Sequence, residues 1–401
     1  MIELEKAVES ILASIPAPKS EVIPLAEACG RVVAEKILAL TDLPPFDNSA
    51  VDGYAVLARE VASASSQNPV SLLLAGRIAA GENFSGELSP GQCIRIFTGS
   101  TLPRGADAVV MQEDTRNDAN PSHKILFLDS AKPWENVRFR GEDVKRGAEI
   151  VAPGERLGAA HIALLAAGGT AQVTVNRRPS VALLATGSEL KEGGSPLAPG
   201  QIYESNRAAL APLIAAASAL PQIFPIVPDD AEATRAALSR AFGDCDIVIT
   251  CGGVSVGEMD FVKSAFEELG GHLEFWKVAI KPGRPFVFGR HGDKLLFGLP
   301  GNPVSAFVTF LLLARPALLR WQGAAKVSLP ASLGILAEPF SNSDNRRHFM
   351  RVALDSKGKV RSAGTQASHL LSSLALAEGL VDMPPRTTLA AGSTVQVLRW
   401  E

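Results

Sequence analysis

The sequence predicts a multidomain α/β plus β protein. Its parts are a doubly wound, mostly parallel sheet domain, a β-rich domain, a mixed helical linking domain and a small C-terminal β domain. Three observations carry this prediction. Strand-like and helix-like runs alternate from Arg178 to about Gly323, the rhythm of a parallel sheet covered on both faces. Short alternating runs separated by Gly and Pro fill residues 45–144. Short strands return after residue 325. Size and composition allow it: 401 residues suit two to four domains, and 46% apolar with 20% charged residues can bury a sizeable core. With 39 basic and 42 acidic residues the net charge is −3, which argues against a protein built mainly to hold nucleic acid.

The opening MIELEKAVESILASIP has apolar residues at helical spacing and lacks the basic-then-apolar layout of a signal peptide. Up to about Leu40 the pattern reads as amphipathic helices broken by Pro16, Pro18 and Pro24. LPPFDNSAVDGYAV is a turn-dense entry into the strands VSLLLAG, QCIRIFTG, AVVMQE and ILFL. GAAHIALLAAGG reads as one buried helix stopped at Gly168. In the next segment SVALLATG, QIFPIV, DIVITCGG, LEFWKVAI, PFVFGR and KLLFGLPGN are strands. The helices between and after them are SNRAALAPLIAAASA, in which Pro212 needs a helix start or a kink, AEATRAALSRAF, DFVKSAFEELG and PVSAFVTFLLLARPALLRW. HFMRVAL, KVRSAG and STVQVLRW close the chain as strands. The expected domains are 1–44 with 145–177 (linking), 45–144 (β-rich), 178–324 (α/β) and 325–401 (C-terminal β). The longest apolar stretch, Phe307 to Ala314, stops at Arg315, short of the roughly 18 residues of a membrane span, so a cytoplasmic protein with no membrane partner is expected. Cys29, Cys93, Cys245 and Cys251 form no CxxC and the histidines are scattered, so neither disulfides nor zinc are expected.

Ligands of open α/β sheets bind at the carboxyl ends of the strands. Here those ends run into Thr186-Gly187-Ser188-Glu189, Pro228-Asp229-Asp230, the stretch from Gly252 to Asp260, and Leu299-Pro300-Gly301-Asn302-Pro303. Glycine-rich turns ahead of helices favour anions, which points to a phosphate-bearing ligand. The sequence has neither GxxxxGK[ST] nor GxGxxG, so neither a P-loop nor a dinucleotide fold is supported. Glu189, Asp229 and Asp260 stand at three strand ends and suit Mg²⁺; ordinary helix capping is the competing account of Asp229 and Asp260. Lys277, Lys281 and Arg284 lie in WKVAIKPGRP, where period-two counting sets both lysines on one side of an extended run, an oxyanion site or a solvated face.

In order along the chain, PPFDNSAVDGYAV, RFRGEDVKRG, ATGSEL, IYESNR, CGGVSVGEMDFVK, KVAIKPGRP and LPGNPVSAF resemble the molybdopterin molybdenumtransferase family. These are the molybdenum-inserting enzymes of molybdenum-cofactor biosynthesis, related to the C-terminal domain of gephyrin. The resemblance starts near residue 1 and is weakest after about residue 325. It implies a Mg²⁺-dependent reaction: adenylylated molybdopterin and molybdate enter, the pyrophosphate link is cut, AMP leaves and molybdenum stays on the dithiolene. It also implies a homodimer whose cleft joins the α/β domain of one subunit to the β-rich domain of the other. Further partners would be other enzymes of the same pathway and the apo-enzymes that accept the cofactor.

By the same resemblance, the catalytic set is Asp52, Thr98, Glu189, Asp229, Asp260, Lys277 and Lys281, with Glu189, Asp229 and Asp260 at the metal. Substrate contacts would come from Arg138, Asp143, Gly252, Gly253, Ser255, Arg284, Pro300, Gly301, Asn302, Ser305, Arg351 and Ser368. Ser255, Arg284, Arg351 and Ser368 look like molybdate-site residues. Position 284 is commonly Lys in the family and is Arg here, which keeps the charge but replaces a point donor by a flat fork. Two other readings stay open: a molybdopterin adenylyltransferase-type enzyme and a non-catalytic gephyrin-like scaffold.

Overall fold

The computed structural model describes residues 1–118, 123–254 and 261–400. Its central feature is a six-stranded sheet in the order Leu220–Ile223, Ser180–Ala185, Ile247–Cys251, Lys294–Leu299, Val287–His291, His272–Trp276. The first four strands pair parallel and only Val287–His291 runs against the rest, so the sheet is mostly parallel. Alternate residues of Ser180–Ala185 explain the double winding. Val181, Leu183 and Ala185 face a core that includes helix Asn206–Ala216 and the long helix from Pro303. Ala182 and Leu184 face the core under helices Ala231–Asp244 and Val262–Glu268. A strand buried on both faces needs a nearly continuous apolar run, which SVALLA and IVITC supply, Thr250 being the buried polar exception.

The β-rich sheet has the order Ala108–Met111, Gly53–Val56, Gln92–Ile96, Val70–Ile78, Lys124–Phe127, Thr115–Asn117. Strand Ser20–Pro24 pairs antiparallel with Gln172–Asn176, tying residues before and after the β-rich sheet into one unit with its own core. A third large sheet is C-terminal and runs Ile280–Lys281, Arg347–Leu354, Gly379–Met383, Thr394–Leu398, Ala331–Ile335. Its first strand comes from the α/β segment, with Lys281 beside His348. The two domains therefore share a seam, and Phe349, Leu374 and Leu380 join the α/β core.

Two expectations need correction. The stretch before Leu40 holds one α-helix, Leu4–Ala13, followed by strand Ser20–Pro24; a single turn at Leu25–Glu27 goes no further, and Gly30 at φ +81° is incompatible with a helix there. Leu4, Ala7 and Ile11 of the α-helix pack into the α/β core. Helix Ala159–Ala167 forms, but only Leu165 is buried; alanines made it look apolar without needing burial. Pro212 lies inside helix Asn206–Ala216, so of its two expected places the helix start is excluded. The helix from Pro303 has the expected extent. It continues to Trp321, 19 residues with mean hydropathy 1.4, through a π-helical turn at Phe310–Ala314. Protein buries 83% of its apolar window, so this is a core helix. Arg315 is half-buried and donates to the carbonyls of Val327 and Ser328.

Candidate active site

A cavity of about 800 Å³ opens at the carboxyl ends of the parallel strands. From Ser180–Ala185 the chain goes to Leu220–Ile223 on one side and then returns to Ile247–Cys251 on the other. The cavity sits between the exits of the two central strands, the place where the winding reverses and neighbouring loops diverge. Backbone bonds lace the exits together: Thr186 N–H to Cys251 O, Gly187 N–H to Val227 O and Gly252 N–H to Leu299 O, each 3.0 Å. Gly252 has φ +91°, and a Cβ there would lie 2.7 Å from the Thr186 carbonyl oxygen. Thr186, Gly187, Glu189, Asp229, Gly252, Gly253, Pro300, Gly301 and Asn302 all line the cavity. Ser255 and Asp260 lie outside the described residues.

Two acids reach the cavity by different routes. Glu189 is exposed on the turn after the first strand. Asp229 is held by a reciprocal pair: Ser188 N–H donates to its Oδ2 at 2.9 Å, and its own N–H donates to Ser188 Oγ at 3.0 Å. Helix capping explains Asp230 instead, whose Oδ1 accepts from Ala233 N–H at 2.8 Å. The competing account of Asp229 as a helix cap is thereby answered.

The sequence reading named no residue of IYESNR, yet this motif shapes the cavity. Arg207 is 3% exposed. It binds Glu204 at 3.0 Å, Glu192 at 2.8 Å and the carbonyl of Phe224. Burial alone would lower its pKa, but the two carboxylates outweigh it and hold the guanidinium above its usual range. That anchor fixes the helix start, so Asn206 Nδ2 donates to Gly301 O at 2.8 Å. Asn206 Oδ1 and Thr186 Oγ1, both on cavity-lining residues, are buried without a hydrogen-bond partner. Unpaired buried acceptors of this kind suit a ligand that brings N–H or O–H groups. His369 and Leu371, from the C-terminal domain, complete the lining.

The basic residues fall elsewhere. Lys277 has φ +94°, so LEFWKVAI is not one extended run and the period-two argument for Lys277 and Lys281 fails. Lys277 Nζ lies 4.0 Å from the centre of the Trp276 ring, in a surface hollow formed with Met1–Glu3. Lys281 is on the seam, 3.7 Å from Asp344 Oδ2. Arg284 is exposed and does not line the cavity. Beside Lys281, His348 is 5% exposed with an unpartnered Nε2. Burial, then Lys281 and Arg351, push its pKa down to about 4.

Arg351 is fully buried. It donates to Ser373 Oγ at 3.0 Å and to the carbonyls of Thr365 at 2.9 Å and Ala367 at 3.1 Å, with only Nη1 unpartnered. Ser305 is buried one turn into the helix from Pro303. The carbonyl of Ser368 accepts from Val304 N–H at 3.2 Å.

Asp52, Thr98, Arg138 and Asp143 are outside the cavity of their own chain. Asp52 Oδ1 accepts from both the N–H and the hydroxyl of Thr98, each at 2.8 Å, and these donors hold its pKa below the usual carboxylate range. Gly53 is required beside it, since a Cβ would lie 2.0 Å from the Val110 carbonyl oxygen. Arg138 pairs in strand Val137–Arg138 with Asn48–Ser49. Asp143 N–H is bound to Leu43 O at 3.0 Å. All four side chains are on exposed residues.

Fold and cavity define a class: multidomain proteins whose α/β domain presents a glycine-turned, acid-bearing pocket at its topological switch point. Three family models match in sequence order: "MoeA N-terminal region (domain I and II)" over residues 2–169, "Probable molybdopterin binding domain" over 182–320, and "MoeA C-terminal region (domain IV)" over 334–400. A molybdopterin molybdenumtransferase of Haemophilus influenzae is 37% identical, the match covering 99% of this chain and 98% of that one. Molybdopterin molybdenumtransferase 2 of Mycobacterium tuberculosis is 40% identical, with 94% of each chain covered. A crystal structure titled molybdopterin biosynthesis moeA protein from Pyrococcus horikoshii OT3 is 32% identical over 100% of both chains, with a TM-score of 0.83. The chain belongs to the molybdopterin molybdenumtransferase family, a family of transferases of molybdenum-cofactor biosynthesis.

Proposed function

We propose that the protein transfers molybdenum from molybdate to adenylylated molybdopterin, with Mg²⁺-dependent cleavage of the pyrophosphate link and release of AMP. The observation that carries this reading is the acid-bearing, glycine-turned cavity at the switch point. Glycine-rich turns of this kind bring backbone N–H groups close to a phosphate chain; the Gly252 N–H is spent on Leu299 O, which leaves that of Gly253 for a ligand. Asn206 Oδ1 and Thr186 Oγ1 supply unpaired acceptors for ligand donors. The donor chemistry fits Mg²⁺: Glu189 and Asp229 bring hard carboxylate oxygens to one cavity, and Mg²⁺ needs only one or two carboxylates beside phosphate and water. Asp260 is proposed as a third. Bound there, the ion would neutralise charge on the phosphate oxygens. The protein's part is to hold the pyrophosphate on the Gly252-Gly253 and Pro300–Asn302 turns and to keep Asp229 in place through Ser188.

Lys281, Arg284, Ser255, Ser305, Arg351 and Ser368 are proposed for molybdate, and Lys277, from a surface hollow outside the cavity, for the adenylylated pterin. Lys281 and Ser368 lie where the α/β and C-terminal domains meet, which supports a molybdate position near that seam. Arg351 contributes mainly by shaping the Thr365–Ser373 loop, since most of its donors are spent on it.

Asp52, Thr98, Arg138 and Asp143 belong in this reading to the cleft of a second copy. Their separation from the cavity in their own chain supports a homodimer with shared sites. The division at 1–44 with 145–177, 45–144, 178–324 and 325–401 and a cytoplasmic location belong to the same proposal. The test is AMP release from adenylylated molybdopterin with and without molybdate, and with Mg²⁺ chelated. Release that needs both molybdate and Mg²⁺ is expected. Synthesis of the adenylylated compound from ATP would turn the reading into that of an adenylyltransferase, and a protein inert to it would be a scaffold.

A further inference from the structure

We propose that His369, carried by the C-terminal domain, binds a phosphate oxygen of the substrate's pyrophosphate inside the α/β cavity of its own chain. The inference rests on the reading of the cavity as a pyrophosphate site and adds a residue from a second domain. Among the described residues lining the cavity, Glu189, Glu204 and Asp229 are acids and none is Lys or Arg. Arg207 offsets Glu204 from outside the lining, so an anionic ligand there meets Glu189 and Asp229 with no Lys or Arg among the described lining residues to offset them. His369 is the one lining side chain, among those described, that can become cationic, and its ring N–H is a donor in either charge state.

Its position is fixed from both sides. The preceding carbonyl, Ser368 O, takes the Val304 N–H directly after the Pro300–Pro303 turn, so the loop is seated against one of the proposed phosphate turns. Also before it, Arg351 bonds Thr365 O and Ala367 O; after it, Arg351 bonds Ser373 Oγ, which donates to Leu370 O at 2.9 Å. Five bonds therefore frame an exposed histidine whose neighbours on both sides are tethered. A solvated surface histidine needs no such frame. Arg351 and Ser373 act here as positioning residues and His369 as the contact.

The test uses the full-length protein with ADP as the pyrophosphate-bearing probe and adenosine as the probe without it, both measured by calorimetry in the presence of Mg²⁺. His369→Ala is expected to weaken ADP binding about tenfold or more, the loss of one charge-assisted hydrogen bond, and to leave adenosine binding and the thermal midpoint unchanged. His369→Lys, which keeps a cationic donor, should recover most of that loss. Ser373→Ala should weaken ADP binding less, and should add nothing in a His369→Ala background; a merely structural role for Ser373 would add in both. His369→Ala binding ADP within twofold of wild type overturns this inference and leaves the pocket reading standing. Wild-type protein that binds no ADP overturns the pocket reading and this inference with it.

Discussion

Gly252→Ala should damage the cavity far more than an ordinary glycine substitution. Two costs add at this position. With φ +91°, an alanine pays the left-handed penalty, about 1–2 kcal/mol. Its Cβ would also lie 2.7 Å from Thr186 O and 2.9 Å from Thr186 Oγ1, and the nearer atom is backbone. Reaching an ordinary contact near 3.4 Å means parting two strand exits by roughly 0.7 Å, and overpacking of this kind costs about 1–3 kcal/mol. The expected total is about 2–5 kcal/mol. If the exits part instead, the strain moves into the site, where misplacement by about 1 Å can cost about a hundredfold in rate. Gly270→Ala is the control. It has φ +85° with nothing within 4 Å of the added Cβ, so only the conformational penalty applies. Thermal unfolding and AMP release measured on both variants decide it. Equal behaviour of the two, or near-wild-type AMP release by Gly252→Ala, would refute the argument that Thr186 and Gly252 must touch to form the pocket floor.

Other outcomes follow from the same geometry. Asp229→Asn should strongly lower AMP release while circular dichroism and the thermal midpoint stay at wild-type values; unchanged release would remove Asp229 from the site. Lys281→Ala should weaken the molybdate dependence about tenfold or more and Lys277→Ala the affinity for the adenylylated pterin, and identical molybdate titrations for the two would end that division of labour. His348 supplies a pH signature. Its folded pKa of about 4 is below the ordinary 6.5, so the unfolded chain takes the proton first as pH falls. Its share of stability is whole above about pH 6.5 and drains away towards pH 4, on the order of 3 kcal/mol in all. The charged groups around it are Lys281, Asp344, Arg346 and Arg351. Urea midpoints of His348→Leu should fall less than those of wild type between pH 7.5 and pH 5; parallel curves would contradict this.

Strand positions were legible because nearly continuous apolar runs such as SVALLA and IVITC have one stable solution, a sheet buried on both faces. The helix over Ala159–Ala167 was legible as a helix but not in its burial, since alanine runs look alike in a core and on a surface. Glu189, Asp229 and the glycine turns could be placed at strand ends by spacing alone, and the cavity gathers them. Lys277 could not be placed. Its left-handed backbone breaks the strand, and nothing in WKVAIKPGRP signals a positive φ at a lysine. Asn206 had a signal, its place in IYESNR, but its role depends on Arg207 burying a charge against Glu204 and Glu192, a tertiary event. His369 read as one of several scattered histidines because it reaches the cavity from another domain, through contacts among Val304, Ser368 and Arg351 that no local pattern encodes.

The claim that each working cleft draws on two chains is tested most directly by mixing Asp52→Ala protein with Asp229→Ala protein. Asp52 and Thr98 form one exposed patch on the β-rich sheet, and Asp229 belongs to the cavity on the α/β sheet. A two-fold pair of chains makes two equivalent clefts. In a mixed dimer with shared sites, one cleft keeps both acids and the other has neither. The two variants, each strongly impaired alone, should after verified subunit exchange recover about a quarter of wild-type AMP release, since about half the dimers are mixed and each has one intact cleft. Complete exchange with no recovery would contradict the account, because it would mean that Asp52 and Asp229 serve no common cleft across the two subunits.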